Sequence, residues 1–165
     1  MTNLDEIKDT LRLYATHKQH PTQLDEAYAA LADGGDLVID GLIWVLQQDD
    51  IDLKLLALQL LQEHHADAQR ALPAVRNLIS DDEDRLVRVT TINTAHVMGD
   101  KSDDLIPLLS PRLDSEDDFE RLFAAVNLWR ISRSEDAYVV LRREAAKEGL
   151  PMAKMAVGYL EEAEA

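Results

Sequence analysis

Five histidines, 32 carboxylates and one glycine pair are where chemistry could sit in this 165-residue chain. His64 and His65 are adjacent, so on a helix they point in different directions and make a poor metal pair. His17 and His20 have a usable helical spacing, but Pro21 ends the helix there and no third ligand stands at zinc spacing. Asp49-Asp50-Ile51-Asp52 lacks the glycine and the distal glutamate of a calcium loop. Gly34-Gly35 reads as a helix end rather than a phosphate cradle. No Gly-x-Ser-x-Gly and no Walker loop occur, and without cysteine there is no thiolate nucleophile, thiolate zinc site or disulfide framework. No catalytic residue, metal or cofactor is expected, and the chain reads as a non-enzyme whose chemistry is recognition.

The charge balance narrows what is recognised. With 17 basic residues against 32 acidic ones the formal net charge is −15. Phosphate binding needs Lys and Arg to displace counterions, so nucleic acid is not an expected partner, and an anionic membrane is not either. A basic protein would be steered in by such a field; the plainer reading of the charge is solubility. The first residues, Met1 to Glu6, show no basic and apolar leader, and apolar windows fall far short of the roughly 18 residues that span a bilayer. The expected location is the cytoplasm.

The elements that must position any binding residue come from a period along the chain. Val87-Arg88 opens a run continued by Thr91, Thr94, Ala95 and Met98. Leu53-Lys54 opens a similar one with Ala57, Leu60 and Leu61; Glu120-Arg121 another with Ala124 and Leu128; Ala153-Lys154 a fourth with Val157 and Leu160. Gln23-Leu24 opens a weaker first copy with Ala27, Ala30, Leu31 and Gly34. The openings stand 30, 34, 33 and 33 residues apart. Between them lie second helical segments, Asp36–Gln48, Ala68–Ile79, Asp103–Leu113 and Ser134–Lys147, with apolar residues three and four apart. Leu72-Pro73 returns as Ile106-Pro107, and proline fits a first helical turn. Asp36, Ser134 and Ser102 stand at N-cap positions, and the acids ahead of each opening suit the positive end of the next helix. Leu4, Ile7, Leu11 and Tyr14 mark one further amphipathic helix at the front.

A helix pair of thirty-odd residues, with Leu-Pro in the first helix, acids in the turn and Val-Arg-x-x-Ala-x-x-x-Leu in the second, resembles the HEAT repeat family, nearest to its short bacterial repeats of the phycobilisome-lyase type. The likeness runs from about Gln23 to the end and is best over Leu72–Gly99; Glu120 departs from it, since an apolar residue is usual there. The resemblance implies an all-α chain: an α-solenoid, or HEAT-like superhelix, of about five antiparallel helix pairs. One domain, 1–165, then divides into a capping helix over 1–20 and repeats over about 23–50, 51–80, 84–114, 117–148 and 150–165.

Repeat phase assigns roles. Lys54, Arg88, Arg121 and Lys154 share one position, with Asp49, Asp82, Glu116 and Glu148 four or five residues before each opening, and stacking would align them as a ladder of alternating charge between repeats. At 100° per residue, positions six and nine after each opening point away from the core. They are Gln59 and Gln62, Asn93 and His96, Val126 and Trp129, Tyr159 and Glu162. If the second helices line a concave face, as the resemblance implies, these eight are the candidate partner-binding residues, because aromatic and amide side chains anchor interfaces. Packing of Trp129 and Tyr159 between repeats is the competing reading. The expected function is a protein-binding scaffold, in its sharpest form an immunity protein or inhibitor neutralising a basic toxin; the resemblance leaves a bilin-lyase-like subunit or an assembly adaptor as alternatives. In a mobility-shift assay near physiological salt, neither duplex DNA nor RNA should be retained, and tight salt-dependent retention would remove the assignment to protein partners.

Overall fold

The structure is a computed structural model that describes residues 3–16, 35–63, 68–81, 84–147 and 151–164. The described residues form nine α-helices and no strand. In chain order they are α1 (Leu4–Thr16), α2 (Asp36–Leu46), α3 (Ile51–Glu63), α4 (Leu72–Asp81), α5 (Arg85–Val97), α6 (Leu105–Leu109), α7 (Asp118–Ser132), α8 (Glu135–Ala145) and α9 (Pro151–Glu164). The weak first copy opening at Gln23, with its Leu24, Ala27, Ala30, Leu31 and Gly34, lies outside the described residues, as do His17, His20, His64, His65, Asp82 and Glu148.

Prolines shape two of the first helices of the pairs. A 3-10 turn over Gln69–Ala71 precedes α4, because Pro73 has no N–H to give the Gln69 carbonyl; the Leu72 N–H takes that carbonyl instead. The helix expected over Asp103–Leu113 is shorter than the periodicity suggests. Its α part stops at Leu109 and continues as a 3-10 helix over Ser110–Asp114. Pro111 is the reason, since it offers no N–H to the carbonyl four residues back.

The second helices start on acids, one turn after another. The Asp50 carboxylate accepts from the Leu53 N–H at 3.0 Å, Asp84 from Val87 at 2.9 Å and Asp117 from Glu120 at 2.8 Å. Each satisfies an orphan donor at the positive end of a helix dipole. Ser134 caps α8 in the same way, accepting from the Ala137 N–H. Asp36 is not the cap of its helix. Gly35, at φ +51°, holds that place, and Asp36 lies in the first turn.

Helices α2, α4, α6 and α8 form one layer, and α3, α5, α7 and α9 the other, with α1 packed on α2 and α3. Helices α2 and α3, α4 and α5, α6 and α7, and α8 and α9 are the hairpins; α3, α5, α7 and α9 also touch in series. The core is one continuous cluster from Ile7 to Ala156. In α5 all five inward positions, Val87, Thr91, Thr94, Ala95 and Met98, are buried. Ala57 and Ala124 are fully enclosed, small enough to let neighbouring helices close on each other. Of the residues two after each opening, Leu55 and Val89 pack against the core and Leu122 is buried, whereas Met155 is exposed. The phase is lost in α9, where Val157 and Glu161 face outward.

Gly41 of α2 marks the closest helix approach. A Cβ there would meet Ile7 Cγ2 of α1 at 2.6 Å, and that methyl sits on a branched, stiff side chain. Gly158 of α9 has nothing within 4 Å of its would-be Cβ. The same substitution should therefore act in opposite directions. Gly41→Ala should lower stability by about 1–3 kcal/mol through overpacking, and Gly158→Ala should raise it by about 0.5–1 kcal/mol through helix propensity. Urea unfolding of both variants checks the packing of α1, and equal shifts would show that α1 does not sit as described.

Candidate functional site

Ionic and polar contacts tie each repeat to the next. Arg88 of α5 donates from Nε to Glu120 of α7 at 3.1 Å, and Glu120, only 2% exposed, also accepts from Ser115 Oγ at 2.6 Å. Arg121 of α7 donates to Glu144 of α8 at 3.1 Å, joined there by Lys147 Nζ at 2.5 Å. Burial raises the Glu144 pKa, but its bonds to Lys147 and Arg121 outweigh that and hold it below the ordinary range. Arg76 clasps buried Asp100 with two bonds, at 2.7 and 2.9 Å. Arg88 and Arg121, two of the four ladder residues, thus each reach a buried acid, whereas the turn acids Asp82 and Glu148 lie outside the described residues. Glu116 makes no ion pair among the described residues, while Glu120, the departure from the HEAT pattern, is the buried acid that takes Arg88. Lys154 is exposed.

The eight expected binding residues separate into two groups. Gln62 is used structurally, donating to Thr94 Oγ1 across the α3–α5 junction at 2.8 Å. Gln59 is exposed and donates to Glu63, and Asn93 is half-buried. The other five converge. Val126, Trp129, Tyr159 and Glu162 line one cleft of about 150 Å³ with Arg130, Arg133 and Leu141. His96 stands against Tyr159, edge to face, with ring centres 5.6 Å apart. Val126 is buried, so it is a wall of the cleft rather than an exposed contact. Trp129 packs on Tyr138 at 5.2 Å between ring centres and carries the Arg133 guanidinium at 5.1 Å. Its buried Nε1–H meets no acceptor, so stacking and not hydrogen bonding holds the ring. Trp129 is thus packed against Tyr138 and also lines the cleft.

Arg130 sets the state of His96. It donates from Nη1 to His96 Nδ1 at 2.7 Å and to the His96 carbonyl at 3.2 Å. Guanidinium can only donate, so Nδ1 must present its lone pair and the imidazole proton sits on Nε2. Burial, then repulsion from Arg130, push the His96 pKa down from 6.5 to about 4. Burial, then Glu162, push the Tyr159 phenol up, with Arg130 opposing. His96 is thus a neutral donor and Tyr159 a neutral hydroxyl near pH 7.

Sequence reasoning passed over two features. Arg130 and Arg133 stand one and four residues beyond an outward position, and neither makes an ion pair among the described residues. Arg133 also holds φ +52°, a left-handed helix end where glycine is usual. Secondly, the first turns of α3, α5 and α7 expose Ile51, Leu86 and Phe119, at 49%, 57% and 41%. Asp50, Asp52, Asp84, Asp117 and Asp118 stand beside them in sequence. The spacing between Leu86 and Phe119 is one repeat, a signal that was available in the sequence.

Among the described residues no group of three or more metal-binding side chains occurs, and no helix is long and apolar enough to cross a membrane. Paired helices stacked in two layers, with interlocked second helices, define an α-solenoid repeat protein. A family profile of HEAT repeats matches residues 39–130, more than half of the chain. The chain belongs to the HEAT repeat family, whose members typically act as non-enzymatic scaffolds for protein–protein interaction. No curated protein and no solved structure matches it.

The lowered pKa of His96 has a stability signature. Because the unfolded imidazole takes its proton near 6.5 and the folded one near 4, the unfolded chain binds the extra proton as pH falls. Stability should be full above about 6.5 and decline toward 4, by on the order of 2 kcal/mol. Gln can still accept from Arg130 but does not titrate, so His96→Gln should flatten that portion of a urea-unfolding series against pH. An unchanged slope would place the His96 ring in solvent.

Proposed function

We propose that this protein is a binding scaffold that seats a protein partner across the α3–α5–α7–α9 layer, and that the contact residues include Gln59, Asn93, His96, Trp129, Tyr159 and Glu162. The observation that carries the reading is convergence. The second helices of three successive pairs, α5, α7 and α9, contribute His96, Trp129 and Tyr159 to one half-open surface, though 63 residues separate the first from the last. Half-exposed aromatic rings supported from behind are the usual form of an interface anchor. The cleft's volume of about 150 Å³ suits a single side chain; sites for whole small molecules run to about 300–1,000 Å³. A chromophore-sized ligand therefore has no support at this cleft.

The partner is best served by a basic surface. The exposed apolar row of Ile51, Leu86 and Phe119 lies beside the capping acids, and the chain carries −15 overall. Acid around apolar contacts favours a partner with Lys and Arg around its own apolar patch, and hastens encounter. An inhibitor or immunity protein that neutralises a basic toxin in the cytoplasm is the sharpest form of this reading.

The test uses the partner recovered from the native host. Tyr159→Ala and Asn93→Ala should melt close to the parent, and Tyr159→Ala should weaken binding by about 2 kcal/mol, near thirtyfold, in calorimetry. Added salt should slow association more than it hastens dissociation. Folded variants that bind as tightly as the parent would move the interface to another surface.

A further inference from the structure

We infer that the cleft between α7, α8 and α9 captures the free C-terminus of a polypeptide that ends in an apolar residue. The inference rests on the scaffold reading and names what the cleft would hold. Its first support is a charge that runs against the rest of the molecule. In a chain with nearly twice as many acids as bases, Arg130 and Arg133 flank the cleft and neither is ion-paired among the described residues. The buried arginine stitches elsewhere all end on carboxylates, as Arg76 does on Asp100, Arg88 on Glu120 and Arg121 on Glu144. At this cleft no carboxylate among the described residues is bonded to the two guanidiniums, although Glu162 also lines it, and a ligand can supply one. Guanidinium is the side chain best suited to a carboxylate, through paired N–H donors.

The second support is shape. Buried Val126 and Leu141 give the cleft an apolar wall, and the rings of Trp129 and Tyr159 give it flat sides. Its size admits one side chain. Glu162 on the rim is an acceptor and would repel a simple anion. A C-terminal apolar residue answers all three conditions from one Cα. Its carboxylate meets the guanidiniums, its side chain meets the apolar wall, and its backbone N–H can donate to Glu162. A Glu or Asp side chain carries no apolar branch beside its carboxylate, and inorganic phosphate has neither branch nor N–H. The third support is the left-handed backbone of Arg133 at the end of α7, a conformation disfavoured for arginine, with its guanidinium over Trp129 beside the cleft. Such outliers persist where the surroundings use them.

The chain has two tryptophans, so Trp44→Phe leaves Trp129 as the sole indole reporter in fluorescence or in the indole N–H NMR signal. The probes are acetyl-Ala-Ala-Leu with a free C-terminus, the same peptide amidated, 4-methylpentanoate and inorganic phosphate. A saturable Trp129 response to the free acid is expected, weakened about tenfold or more by amidation as a charge-assisted contact is lost. Arg133→Gln, at an exposed position, should weaken it without moving the melt; Arg130→Gln should weaken it further but also frees His96, so its melt is read alongside. Equal binding of the amide, or no saturable response, would overturn the inference. Phosphate binding as tightly as the peptide would make the cleft a plain anion trap, and 4-methylpentanoate doing so would make its ligand a free acid; either overturns the chain-end assignment. Because these probes need no partner, loss of partner binding in Tyr159→Ala without a peptide response would sink this inference and leave the scaffold standing.

Discussion

Everything in this molecule depends on the contact between one second helix and the next. A helix pair this short cannot enclose its own apolar stripe, so each pair must bury it against a neighbour. Along α3, α5 and α7 that contact is made close by alanines, Ala57, Ala95 and Ala124, and by inward leucines such as Leu60, Leu61 and Leu128. Polar groups drawn into the seam have to be satisfied there. Gln62 reaches Thr94, Asn127 reaches the Phe123 carbonyl, and Arg88 reaches Glu120. The surface proposed to receive a partner is what remains of these helices once the seam is closed, and its composition is therefore set by the packing beneath it.

That dependence explains why the architecture was legible and the site only partly so. Helix openings at 53, 87, 120 and 153 follow from a pattern of small and apolar residues that recurs with the repeat. Capping acids at Asp50, Asp84 and Asp117 follow from the same register. Outward direction on a helix is equally periodic, and it pointed to His96, Trp129 and Tyr159. Periodicity says nothing about what a side chain meets. Gln62 is spent on a neighbouring threonine, and Val126 is closed over by the next helices. Arg130 entered the site because it reached back to His96, a contact 34 residues away in sequence. The shortening of α6 at Pro111 was written in the chain as well, but apolar periodicity alone outweighed it.

The electrostatics are divided between two scales. Over the whole surface the excess of acid sets a long-range field, useful for encounter and weakened by salt. Inside, carboxylates are engaged individually: Asp100, Glu120 and Glu144 are each enclosed and each held by arginine or lysine. A buried pair of this kind contributes little net stability compared with an apolar substitute, and removing one partner leaves a costly lone charge. Their effect is on specificity of arrangement more than on strength. At the α7–α9 cleft two guanidiniums stand with one carboxylate, Glu162, and none of the described carboxylates is bonded to them, so local chemistry there departs from what net charge alone would suggest.

The enclosed acids differ from junction to junction, and this bears on how the array assembles. Arrays of near-identical modules are prone to dock with the wrong neighbour or to exchange modules between chains. Here Arg88 of α5 meets an acid at the start of α7, and Arg121 of α7 meets one in α8. A module displaced by one register would face a partner without its acid, and the arginine would be shut away from water with nothing to neutralise it. The junctions are like locks cut to different keys. The chain keeps the economy of a repeated helix pair, yet each pair has one address in the stack.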